Sequence, residues 1–355
     1  MFPPFILSTL FIAGVSLASA RAADVGVRTI SVSAPERGRA VEVTVWYPTG
    51  AGGPSSLVGD NQLFKGAPSV RDAALAKGRF PLVLLSHGSG SRADAMSWLA
   101  TALAEAGFVV AGPNHPGTTS GDSTPEETVK LWQRTADLSA VIDRLSSDPQ
   151  WRDALDPARI GVVGFSLGGA AAMEISGARA NLDAYARYCD GYDQGDCAWF
   201  ARGVGYVDGK PIKVEKLDLR KVDKARFEQS NRDPRIRAAV LVDTGLAQAY
   251  EADSLKAIDI PLSFINLGSP GTIPKSVISD GLATLVPQAR YATVADSWHY
   301  SFLPECKPDG LELLKAEGEV DPICDEVTSR PRADIHEELK RLVVDALQKT
   351  LKGSF

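Results

Sequence analysis

The sequence predicts an α/β fold, with a mainly parallel central sheet, helices on both faces and a lid-like insertion. Three observations carry this expectation. From Phe80 onward, short apolar runs alternate with helical segments, the pattern of strands buried on both faces. A polar, Tyr- and Asp-containing stretch at about 176–236 interrupts the alternation. The chain then resumes the alternation and ends on a segment with one apolar side.

Taken in order, residues 1–23 hold an apolar run from Phe5 to Ala18 and then the small residues Ala18-Ser19-Ala20 and Ala20-Arg21-Ala22. This reads as a secretory signal with its cleavage site. No Lys or Arg precedes the run, which departs from the usual signal; a retained anchor is the alternative, although the run is shorter than the roughly 20 residues that span a bilayer. The mature chain is expected to begin near Arg21 to Asp24. Residues 24–355 then form a single exported domain, periplasmic or secreted, with no stable membrane span. Val27 to Val32 and Ala40 to Trp46 read as strands joined by the turn Pro35-Glu36-Arg37-Gly38. Residues 48–80, rich in Gly, Ser and Pro, read as a long surface connection.

The expected sheet strands are Leu82 to Leu85, Val109 to Pro113, Ile160 to Val163, Ala238 to Val242, Leu262 to Asn266 and Tyr291 to Val294. Helical spacing marks Met96 to Glu105, and Val129 to Ser146 with Leu131, Leu138, Val141, Ile142 and Leu145 on one stripe. The final helix, Ile335 to Leu351, puts Ile335, Leu339, Leu342, Val343 and Ala346 on one side and leaves His336 beside that stripe, in solvent.

Composition bounds the function. With 44% hydrophobic and 23% charged residues, the 355-residue chain can bury a large core. A formal charge of -6 without any basic block gives nucleic acid no landing strip. Two local disulfides, Cys189–Cys197 and Cys306–Cys324, are the simplest pairing of the cysteines and fit an oxidising compartment. Asp190, Asp193 and Asp196 do not follow a calcium-loop spacing and read as solvated loop acids. No metal or cofactor is expected.

The chemistry concentrates at Gly164-Phe165-Ser166-Leu167-Gly168, a G-x-S-x-G motif between an apolar strand and a helical segment. The flanking glycines suit a strand that turns sharply into a helix and thrusts Ser166 out. A serine hydroxyl needs a base, and His299 follows the last predicted strand in Asp296-Ser297-Trp298-His299-Tyr300. A carboxylate should fix the tautomer of that histidine. The usual place, after Leu262 to Asn266, offers no acid before Asp280, whereas Asp243 ends the preceding strand; Asp243 is the choice, Asp280 the runner-up, and Asp296 lies too near His299 in sequence. The backbone N–H groups of Leu167 and Ser89, the latter in His87-Gly88-Ser89-Gly90, are the candidate oxyanion donors. His87, His115 and Trp298 are candidates for the pocket lining, with a satisfied structural histidine the alternative at His115. Tyr185, Tyr188, Trp199, Phe200 and Tyr300 could join an acyl pocket or pack in the core.

These residues resemble the α/β-hydrolase superfamily, and within it the plasma-type platelet-activating factor acetylhydrolases and the bacterial proteins labelled predicted dienelactone hydrolases. The resemblance rests on Trp46-Tyr47-Pro48, Ser86 to Gly90, Ala106 to Ala111 with His115, Gly164 to Gly169, Asp243 and His299, and spans most of the mature chain. It implies a Ser166, Asp243, His299 triad with the acid one strand early. Dienelactone hydrolases proper use a cysteine nucleophile, so the serine argues against that activity. The 176–236 insertion departs from the short acetylhydrolase connection. The expected function is therefore hydrolysis of a small-molecule carboxylic ester through an acyl-enzyme. The alternatives are an amide, peptide or lactone hydrolase on the same triad, and a catalytically silent binding protein on the same scaffold.

Overall fold

Alternating apolar and polar residues make β1 (Val25–Ala34) and β2 (Arg39–Pro48) an antiparallel ribbon, with Val25 opposite Pro48 and Ala34 opposite Arg39. The turn between them is the 3-10 segment Pro35–Arg37, closed by Gly38 in a left-handed conformation. The computed structural model describes residues 24–50, 53–325 and 327–353. The expected signal segment, 1–23, lies outside them.

Residues 48–80 are more ordered than their composition suggests. They contain β3 (Ser55–Val58) and β4 (Ala67–Arg71), which pair with each other, and β4 runs parallel to β1. Both are short strands at the sheet edge. Pro68 lies outside the two-residue register with β1, which suits a residue that cannot donate to a ladder.

The apolar runs form the parallel core: β5 (Phe80–Ser86), β6 (Val109–Pro113), β9 (Leu155–Phe165), β12 (Ile236–Val242), β13 (Leu262–Leu267) and β14 (Ala289–Val294). Together with the amino-terminal strands they give the order β14-β13-β12-β9-β5-β6-β2-β1-β4-β3. Side chains alternate between the faces, so Leu82 and Leu84 enter one core cluster and Val83 and Leu85 the other. On the second face lie α1 (Ser97–Glu105) and α11 (Arg332–Leu347), with Leu99, Leu103, Leu339 and Val343 buried. The first is covered by α3 (Leu131–Ser147) and α4 (Leu167–Ile175). The last helix does not stay α-helical to Leu351; it passes into a π-helical turn at Gln348–Lys352.

Short elements occupy the carboxyl ends of the strands. β7 (Thr118–Thr119), β8 (Asp122–Ser123) and α2 (Pro125–Thr128) follow β6. The 176–236 insertion holds α5 (Leu182–Asp190), α6 (Gly195–Arg202), the hairpin β10 (Val204–Val207) and β11 (Lys210–Lys213), and α7 (Lys224–Phe227). The hairpin joins β8 and β7 in a second, four-stranded sheet. Tyr185, Phe200 and Phe227 sink into the main core, so the insertion is welded to the domain. It is stapled by Cys189–Cys197, and a later loop by Cys306–Cys324, the two expected pairings. The remaining α-helices among the described residues are α8 (Ala252–Lys256), α9 (Asp280–Leu285) and α10 (Gly310–Glu317). Among the described residues, no helix is long and apolar enough to cross a membrane.

Candidate active site

β9 ends at Phe165 and α4 begins at Leu167, so Ser166 alone makes the turn, at φ 54 and ψ −121. A non-glycine residue held there is strained, and the surroundings leave no alternative. A Cβ on Gly164 would lie 2.1 Å from the Gly168 carbonyl oxygen, and one on Gly168 would lie 1.9 Å from that of Ser86. The serine is tied on both sides: its N–H donates to Val242 O (3.1 Å) and its carbonyl accepts from Gly245 N (2.8 Å). Only the hydroxyl is left to face the cleft.

Three sequence-predicted residues come together at this point. His299 Nε2 lies 3.2 Å from Ser166 Oγ, and its Nδ1 lies 2.9 Å from Asp243 Oδ2. Because a carboxylate can only accept, Nδ1 carries the proton and Nε2 presents a lone pair to the hydroxyl. Asp243, at the end of β12, is fully buried, and its second oxygen accepts from Asn266 Nδ2 (2.8 Å) and Leu267 N (2.9 Å). The His299 ring stacks on Phe165, which stacks in turn on Phe302. Asp280 and Asp296 are elsewhere: Asp280 bonds the N–H of Gly281, and Asp296 accepts from Ser329.

Leu167 occupies the first turn of α4, where backbone N–H groups have no helical partner and the helix dipole favours negative charge. Opposite it, Gly88 brings the 86–91 turn against Ser166; a Cβ there would lie 3.5 Å from Ser166 Cβ. Ser89, next in line, is exposed.

Two expected pocket residues do not line a pocket. His87 and His115 are both completely buried. His87 Nδ1 bonds Gly88 O at 2.7 Å and its Nε2 accepts from His115 N at 3.1 Å. The His115 ring lies between Ser86 Oγ (3.0 Å) and Asp137 Oδ2 (2.8 Å). Burial first, then the nearby Arg134 charge, holds both imidazoles well below their ordinary pKa, so both are neutral. A histidine just past a strand end points into the protein when a neighbouring helix supplies buried partners, and here α3 supplies Arg134 and Asp137. Trp298 does line a cavity of about 550 Å³, with Gly268, Ser269, Asp296 and Thr328, beside the His299 turn; Ser166 is not among its walls.

The expectation for His336 is also corrected. It is buried, stacked face to face on Trp98 at 3.9 Å, and its Nε2 lies 3.0 Å from both Ser301 O and Leu303 O. Those carbonyls belong to the turn that carries His299. Burial pushes its pKa down to about 4. Asp196 is no solvated loop acid either. Its Oδ2 accepts from the Tyr185 hydroxyl at 2.5 Å, and burial raises its pKa.

Residues 81–177 match the sequence model of the α/β hydrolase fold. Over 121 residues the chain is 28% identical to a bis(hydroxyethyl) terephthalate hydrolase of Streptomyces coelicolor, a stretch covering 34% of this chain and 36% of that one. The match thus spans about a third of the relative's length. A ferulic acid esterase structure from Streptomyces cinnamoneus superposes with a TM-score of 0.63 at 19% identity, covering 95% of this chain and 93% of that one. This is the α/β-hydrolase fold. Within the α/β-hydrolase sheet, β9 leads into the Ser166 turn, β12 into the buried acid and β14 into the loop with the histidine. Asn266, missed at the sequence level, is the penultimate residue of β13, the strand after which the acid usually stands. Its one signal was a lone carboxamide closing a buried apolar run.

Proposed function

We propose that the protein is an exported serine hydrolase that cuts carboxylic ester bonds. The observation that carries the reading is the hydrogen-bonded chain from Ser166 through His299 to fully buried Asp243. Ser166 Oγ attacks the ester carbonyl as His299 Nε2 takes its proton. The resulting oxyanion is held by the N–H groups of Leu167 and Ser89. Collapse of the intermediate expels the alcohol, which leaves with the proton from His299. Water then attacks the acyl-enzyme, giving its proton to His299, and Ser166 leaves protonated as the acid departs. Throughout, Asp243 keeps Nδ1 protonated and stabilises the transient imidazolium.

The insertion serves as a cap over this cleft. In support, Trp199 of α6 bonds Thr128 Oγ1 (3.0 Å), and Arg202 at the end of α6 reaches within 3.9 Å of Asp321, a carboxyl near enough to His299 to be influenced by it. Two disulfides support a periplasmic or secreted location. The substrate class is small to medium acyl esters, and the terephthalate-ester relative makes aromatic acid esters the natural extension of the panel.

The test is hydrolysis of p-nitrophenyl esters, acetate through longer chains and benzoate, by the mature protein and its Ser166→Ala variant. Activity abolished by the substitution supports the reading. Activity that survives Ser166→Ala overturns it, and no ester hydrolysis at all returns weight to amide or lactone substrates or to a silent scaffold.

A further inference from the structure

The one face of the reaction centre left unexplained is the turn that carries Ser89. Its peptide planes are held from below by a buried cation. Arg134, on α3, is 1% exposed, and its guanidinium is spread over the turn's carbonyl groups. Nη1 donates to His87 O at 2.7 Å, Nη2 lies 3.5 Å from Gly88 O, and Nε donates to Thr118 Oγ1 at 3.1 Å. His87 adds a second anchor, since its Nδ1–H donates to Gly88 O at 2.7 Å.

In a trans peptide the C=O of one residue and the N–H of the next point in opposite directions. No cis peptide occurs among the described residues. The Gly88 carbonyl is drawn toward His87 and Arg134, so the Ser89 N–H is turned the other way, toward the cleft. Packing Gly88 against Ser166 places that N–H on the nucleophile's side of the turn.

The charge matters as well as the geometry. Arg37 closes on Asp137 with its Nε 3.0 Å from both carboxylate oxygens and Nη2 at 2.8 Å from one of them. Asp137 is therefore neutralised by Arg37, and His115 and His87 are neutral. Burial and the Arg37 charge pull Arg134 down to about 9, which leaves it cationic at neutral pH. The network thus leaves one uncompensated positive charge behind a peptide whose N–H faces the cleft, polarising that donor in a low-dielectric setting.

We propose that Arg134 is a positioning residue that fixes and polarises the Ser89 oxyanion donor, with His87 as its second anchor; this rests on the ester-hydrolase reading above. The contribution belongs to the transition state, where charge develops on the carbonyl oxygen, and little of it to ground-state binding.

The experiment compares full mature wild-type protein with Arg134→Gln and Arg134→Lys. Each is scored per site titrated with a fluorophosphonate, and kcat, KM and the inhibition constant of phenylboronic acid, which forms an anionic tetrahedral adduct, are measured. The expected result for Arg134→Gln is a fall in kcat of at least about tenfold with KM within about twofold, and a parallel weakening of the boronate, since a lost oxyanion donor costs about 10²–10³. Arg134→Lys, which keeps the charge and one contact, recovers part of both. If the glutamine variant does not fold, the lysine variant decides: kcat and boronate affinity must fall together at unchanged KM. Unchanged kcat per titrated site, or a loss confined to KM, overturns the proposal. Failure of the underlying reading looks different, because wild type would then neither hydrolyse esters nor be labelled at Ser166.

Discussion

Glu174 sits in the last turn of α4, the helix that follows Ser166, with nowhere to put a charge. It is 1% exposed, Oε2 accepts from Asn231 Nδ2 at 2.7 Å, and Oε1 has no partner among the described residues. Desolvation lifts its pKa from 4.5 to about 8. The folded protein then holds a proton that the unfolded chain releases above about pH 4.5, so stability falls as pH rises through this interval and the loss is complete above about pH 8. At about 1.4 kcal/mol per pH unit, the full penalty is about 5 kcal/mol. Water entry and relaxation reduce it, but buried ions retain a cost of several kcal/mol. Replacing the acid by an uncharged isostere, Glu174→Gln, keeps the Asn231 bond and removes the titration. Urea denaturation of both proteins from pH 4 to pH 9 should give equal stabilities near pH 4, with the variant drawing ahead to a lead of at least about 2 kcal/mol at pH 8. A stability difference that is the same at pH 5 and pH 9 would refute the assignment of a buried, neutral carboxyl.

Three further outcomes follow from the geometry. His336, with its pKa down at about 4, stays neutral in the fold while the unfolded chain gains a proton below about pH 6.5, so it removes up to about 3 kcal/mol as pH falls from 6.5 to 4; His336→Phe should flatten that acid limb in the same denaturation series, and an unaltered slope counts against it. Asp243→Asn would present an N–H or a neutral oxygen to His299 Nδ1 and should lower kcat by about 10³–10⁴ with little change in KM, read from steady-state kinetics; a loss under tenfold would exclude Asp243 as the orienting acid. Cys306 and Cys324 are 18 residues apart, and Cys306→Ser with Cys324→Ser should cost about 3 kcal/mol from the loop-closure term, visible as a lowered melting temperature under non-reducing conditions; an unchanged melting temperature would count against it.

The parallel sheet was legible because its strands are nearly pure apolar runs, as at Val109 to Pro113, where the read and observed limits coincide. β3 and β4 were not, since Ser55-Ser56-Leu57-Val58 and Ala67-Pro68-Ser69-Val70 are too short and too polar to stand out from a loop. The motif around Ser166, the early acid Asp243 and His299 could be paired from strand order alone, and they lie within hydrogen-bonding distance. What the sequence concealed is the buried polar scaffold. Arg134 falls within the spacing of the apolar stripe of α3, Asp137 at its edge, and His336 beside the stripe of α11, and all three are buried. Periodicity reports where apolar side chains pack and passes over a polar one on or beside the same face.

The tie between His336 and the carbonyls of Ser301 and Leu303 also orders events in time. The turn bearing His299 is fastened by α11, which follows it in the sequence and is therefore made after it. A growing or carboxyl-terminally clipped polypeptide can already contain Ser166, Asp243 and His299 and still lack the clasp that aims the imidazole. The proposed base is therefore aimed only once α11 has docked against its turn.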